Sequence, residues 1–104
     1  MEIVKYKTEK SKPVSPKDVD DIFKNSIPTE IIDAFNTLIV KNYEPLNGYS
    51  IVEQEEIINI IKESTDFTES QIYNNHWLDV ENIYEEAGWK VIYKSSKSYF
   101  KFSK

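Results

Sequence analysis

His76 is the only imidazole in the 104-residue chain, and so the first candidate for proton transfer or metal ligation near neutral pH. It follows Asn74-Asn75 in a predicted turn, and no partner residue is identifiable for a general base or a metal site. The plainer reading is a turn histidine with no chemical task. The chain has no cysteine, which removes thiolate nucleophiles, Cys–His pairs, disulfides and thiolate zinc sites together. Serines are present without a G-x-S-x-G elbow. Gly48 and Gly88 are the only two glycines, too few for a phosphate-cradling loop. Asp18, Asp20 and Asp21 suggest a cation site but lack the EF-hand spacing and its glycine. They read more simply as the polar face of a short helix and favourable charge near its N-terminus. A glycosidase-like carboxylate pair needs a cleft that one small core seldom provides. The expectation is no enzymatic activity, no metal and no cofactor.

Charge is the more informative property. Residues 44–86 carry eleven Asp and Glu against one Lys, whereas residues 87–104 carry five Lys and no acid. The first 43 residues balance at seven and seven, so the net charge of -5 conceals a strongly acidic middle and a basic tail. All thirteen basic residues are lysine, so the bidentate guanidinium contacts that dominate guanine and phosphate recognition are absent. Lysine still binds phosphate, as a point charge. Trp77 and Trp89 have two readings: a stacking pair for a base or ligand, or core residues that join the acidic helix to the tail.

The elements that position these groups follow from local pattern. At this length one domain with one core is expected over residues 1–104. Residues 1–27 read as an N-terminal extension with a short β-prone stretch at Ile3–Tyr6 and a short helix near 16–25. Ser15 is its N-cap, Pro16 its first residue, Val14 and Val19 its staple, and Val19, Ile22 and Phe23 its apolar face. Ile31, Ile32, Phe35, Leu38 and Ile39 predict a helix over 29–43, started near Pro28 and ended by Asn47-Gly48. Tyr49–Val52 reads either as a strand or, through Ser50 and Glu53, as a capping box that begins the next helix. Ile57, Ile58 and Ile61 predict a helix over 54–63, and Thr68 with Gln71 a short one over 69–74. Asp79 is the expected cap of a helix over 79–87 with Val80, Ile83, Tyr84 and Ala87 inward and Gly88 closing it. From Trp89 the period becomes two, which predicts an antiparallel hairpin with Ser95–Ser98 as its loop.

That order of helix, short strand, helix, helix and hairpin resembles a winged-helix domain, a variant of the helix-turn-helix plan, over residues about 28–103. The resemblance is one of element order, and residues 69–74 are an insertion relative to its simplest form. It implies an α+β fold in which helices precede a C-terminal antiparallel β-hairpin and helix 79–87 stands where a recognition helix would enter the major groove. Here that helix shows Asp79, Glu81, Asn82, Glu85 and Glu86 outward. Four carboxylates facing a duplex with one negative charge every ~1.7 Å would be repelled with no counterion release in compensation.

The leading expectation is therefore a small acidic protein-interaction module that uses these five residues to bind a protein with a basic surface. Size and composition suggest a cytoplasmic phage or mobile-element accessory protein that blocks a host factor. Against this stands the bland reading of a solvated acidic surface. The alternative function is a nucleic-acid binder that works through Lys90, Lys94, Lys97, Tyr99 and Lys101 of the hairpin, where the bland reading is lysines decorating an exposed sheet face and edge. No membrane-spanning run and no signal peptide are visible, and both monomer and homodimer remain open.

Overall fold

Pro28, with its fixed φ, opens the first long element among the described residues: it is the extended N-cap of helix α1, Thr29–Asn42. The structure is a computed structural model that describes residues 13–19 and 27–104. Ile31, Ala34, Phe35, Leu38 and Ile39 are buried along one stripe of α1, at the i, i+3, i+4, i+7, i+8 spacing of a core-facing helix. Ala34 joins the predicted stripe as a buried residue, while Ile32 is only half-buried.

A tight turn then reverses the chain. Gly48 takes φ +75°, and its N–H donates to the Glu44 carbonyl at 2.7 Å. Strand β1, Tyr49–Glu53, runs back along the end of α1. The Ser50 hydroxyl, fully buried, donates to the Ile39 carbonyl, and the Asn42 amide donates to the Ile51 carbonyl at 2.8 Å. The choice left open in the sequence is thus resolved as a strand. Helix α2, Gln54–Ser64, follows at once, and its N-cap Glu53 makes no side-chain cap bond. The strand wins because residues 49–53 gain a ladder of main-chain bonds and Ser50 spends its hydroxyl on α1.

Helix α3, Glu69–Asn74, starts at the predicted capping box: the Gln71 N–H reaches Thr68 Oγ1 at 3.1 Å and the Thr68 N–H reaches Gln71 Oε1 at 2.9 Å. Helix α4, Glu81–Glu86, is shorter than expected and corrects the reading of Asp79. Its N-cap is Val80, without a side-chain cap bond. Asp79 lies in the preceding turn, its N–H donating to the His76 carbonyl at 3.1 Å. The cause is packing: Leu78 and Val80 are both buried, and two inward side chains two residues apart do not fit a helical period. Ala87, expected inward, is the exposed C-cap. Gly88, with φ +109°, closes the helix as predicted: its N–H donates to Glu85 and that of Trp89 to Tyr84, each at 3.0 Å, the paired bonds of a Schellman stop.

Strands β2, Lys90–Lys94, and β3, Tyr99–Ser103, form the hairpin, and the three-stranded antiparallel sheet has the order β1-β3-β2. In this register Ser50 and Val91 flank Phe102, and Val52 and Tyr93 flank Phe100, on the face toward the helices. Phe35 of α1 meets that face, with its ring centroid 5.3 Å from Phe100 and 6.1 Å from Phe102. The architecture is an α+β layer of helices on one side of an antiparallel sheet.

In the extension, residues 16–19 are helical and Ser15 caps them, trading bonds with Asp18 at 3.1 and 3.2 Å. Val14 is exposed, so a Val14–Val19 staple gains little there. The predicted strand near Ile3–Tyr6 and the remainder of the helix, with Ile22 and Phe23, lie outside the described residues. Among the described residues no helix is long and apolar enough to cross a membrane.

Candidate interaction surfaces

The five residues proposed for an acidic face divide into two groups. Val80 and Tyr84 are buried and Ile83 half-buried beneath α4, so Asn82, Glu85 and Glu86 are exposed on its other side. Tyr84 anchors the helix: its hydroxyl bonds with Asn36 Oδ1 at 2.6 Å and the Ile32 carbonyl at 3.2 Å, both on α1. Burial, with a smaller contribution from the Asp33 carboxylate, pushes the Tyr84 phenol far up, so it stays neutral. Asp79 is exposed in the turn, with Oδ2 3.9 Å from His76 Nδ1. Glu81 departs from expectation. It is half-buried, and desolvation raises its pKa above the usual carboxylate range; its own backbone N–H opposes this, and Asp79 and Glu85 reinforce it.

Glu81 lines a cavity of about 180 Å³ between α3, the start of α2 and strand β2. Ile72, Leu78 and Phe100 supply its apolar wall. Tyr73 and Tyr93 flank it, and the Gln54 amide ties them together: Gln54 Nε2 donates to the Tyr73 hydroxyl at 2.7 Å, and the Tyr93 hydroxyl donates to Gln54 Oε1 at 2.6 Å. Asp79, Glu81 and His76 provide the ionisable groups. His76 adopts φ +57° in the turn that presents it. Gln54, Tyr73 and Tyr93 were not singled out in the sequence as site residues, and their separation along the chain left no local signal. The volume is below the ~300–1,000 Å³ of ordinary small-molecule sites.

The hairpin residues come together differently. On the sheet face away from the helices the register places Tyr49, Ser103 and Lys90 in one row, Ile51, Lys101 and Ile92 in the next, and Glu53, Tyr99 and Lys94 in the third. Four of the five residues proposed for nucleic-acid contact, Lys90, Lys94, Tyr99 and Lys101, therefore share one surface, while Lys97 sits in the loop beyond it. Strand β1 adds Tyr49, whose ring centroid lies 4.6 Å from Lys101 Nζ. Ile92 is exposed in the middle row.

Both tryptophans are half-buried against the core, Trp77 with its ring centroid 4.8 Å from Phe67 and Trp89 6.2 Å from Tyr43. Among the described residues no three His, Asp or Glu side chains are grouped to hold a metal ion. Comparison with known proteins found no matching family model, no matching curated protein and no matching solved structure.

Proposed function

We propose that this protein is a non-enzymatic interaction module that docks a basic protein surface against Asp79, Glu81, Asn82, Glu85 and Glu86, on a winged-helix-like frame. The observation that carries the reading is the division of labour in and around α4: Tyr84 and the N-cap Val80 are buried, Asn82, Glu85 and Glu86 face solvent, and Glu81 lines the cavity beside them. The element order and the β1-β3-β2 sheet support the winged-helix part of the proposal. Six residues of α4 span only ~9 Å, too short to track a major groove, and their charge opposes DNA. A cytoplasmic role for a phage or mobile-element accessory protein extends this reading from size and composition. The test is fluorescence anisotropy of labelled Lys- and Arg-rich peptides with the full chain at low salt. Binding that falls tenfold or more in the double variant Glu85→Lys, Glu86→Lys supports it, and binding indifferent to that reversal overturns it.

A second reading is favoured by the row-by-row register of the outer sheet face, which groups Lys90, Lys94 and Lys101 with Tyr49 and Tyr99. Lysines that neutralise phosphates, with aromatic rings for bases to stack on, suit single-stranded nucleic acid. Affinity for an oligothymidine that falls steeply with salt, and is lost when Lys90, Lys94 and Lys101 become Glu, would place function on this face instead.

A further inference from the structure

The cavity beside α4 combines three properties. Its wall is apolar, from Ile72, Leu78 and Phe100. Its flanks are two large aromatic side chains left open to solvent, Tyr73 at 44% exposure and Tyr93 at 37%, held in place through Gln54. Its polar end holds Glu81, a half-buried carboxylate that forms no ion pair among the described residues, with Asp79 beside it.

Removing a carboxylate from water without a cation is unfavourable. The charges that raise the Glu81 pKa, those of Asp79 and Glu85, are both negative, while the one imidazole lining the cavity, His76, lies with Nδ1 3.9 Å from Asp79 Oδ2. The missing complement is a positive charge delivered on an apolar stem. Lysine and arginine side chains have that construction, with a methylene chain that buries readily behind a charged head. Aromatic rings flanking such a head add cation–π attraction. The volume of about 180 Å³ suits one such side chain and is too small for a nucleotide or similar cofactor.

We infer that this cavity receives a single lysine or arginine side chain from the basic partner, with the stem against Ile72, Leu78 and Phe100 and the charged head at Glu81 and Asp79. The inference rests on the acidic-face reading and deepens it, because it makes the cavity the anchor point of that interface and Glu85 and Glu86 its solvated surround.

The test uses the full chain and needs no identified partner. Uniformly ¹⁵N-labelled protein is titrated with N-acetyl-arginine amide, N-acetyl-lysine amide and, as a neutral control of similar stem, N-acetyl-norleucine amide. The expected result is saturable shifts at Tyr73, His76, Glu81 and Tyr93 with one or both cationic probes, at a millimolar dissociation constant, and little response to norleucine amide. Glu81→Gln, which keeps the shape of the side chain, is expected to weaken that binding by about tenfold or more. Asp79→Asn, at an exposed position, is a second variant that leaves the wall untouched. Equal response to norleucine amide, cationic shifts confined to other residues, or affinity unchanged in both variants would each overturn the inference. Basic peptides that still bind in a manner sensitive to Glu85→Lys and Glu86→Lys, with no probe in the cavity, would remove the anchor and leave the acidic-face reading standing.

Discussion

The acidic side around α4 and the outer face of the sheet carry opposite charge, and they are built by different means. The sheet face is a regular ladder: three strands, each contributing every second residue, place lysines and tyrosines in adjacent rows. Strand β3 is bonded on both sides, so its backbone is held along its whole length. The acidic side is assembled from short pieces. Helices α3 and α4 have six residues each, and the cavity that they line with the start of α2 and the hairpin draws on a capped helix, a turn with a positive-φ histidine and a side-chain chain from Tyr73 through Gln54 to Tyr93. A ladder gives a stiff, repetitive surface that suits a repetitive ligand. A site made from three separate segments gives a specific shape, at the cost of depending on many local bonds.

The two surfaces share one core, and that is where the comparison breaks most severely. Phe35 is fully buried and packs on Tyr84 behind the acidic side as well as on Phe100 and Phe102 behind the sheet. Phe35→Ala is expected to cost ~3–5 kcal/mol in urea unfolding and to degrade both surfaces together. Gly88 joins the two regions, ending α4 and aiming the chain into β2. Since φ +109° is strained for any residue with a Cβ, Gly88→Ala should cost ~1–2 kcal/mol although nothing lies within 4 Å of the added atom. Its chemical-shift changes should concentrate in α4 and β2 and spare β1.

Smaller effects separate the regions. Tyr84→Phe keeps the ring in the core and removes the hydroxyl bonds to α1, with an expected loss of ~1 kcal/mol, and ¹⁵N shifts confined to the α1–α4 contact. Amide hydrogen exchange should be slowest in β3 and faster in α3 and α4, and equal protection throughout would refute the distinction between ladder and assembly. Glu81 gives the smallest and most specific signal. Burial raises its pKa in the folded state, so over the window between its ordinary and raised values the native state binds more protons than the unfolded one. Its contribution therefore favours folding as pH falls through that window and opposes it above. Glu81→Gln should stabilise the protein at neutral pH, and the gain should fade on acidification, as read by melting temperature against pH.

Local pattern settled a large part of this molecule. The stripe Ile31, Phe35, Leu38, Ile39, the Thr68–Gln71 box, the Gly88 stop and the two-residue alternation after Trp89 are each signals within a few residues, and the elements formed where they indicated. Charge segregation was equally legible, because it is a property of composition along the chain. Distant packing decided what local signals could not: Asp79 lost its expected cap role because Leu78 and Val80 are both buried in the core, and the open choice at Tyr49–Val52 went to the strand because β3 was there to pair with it. The cavity belongs wholly to tertiary structure. Gln54, Tyr73, Glu81 and Tyr93 meet only after α2, α3, α4 and the hairpin have docked, just as Tyr49 meets Lys101 only through the β1–β3 register. Periodicity specifies which side of an element turns inward; which elements then become neighbours is decided by burial of the shared core, and that is a sum over the whole chain.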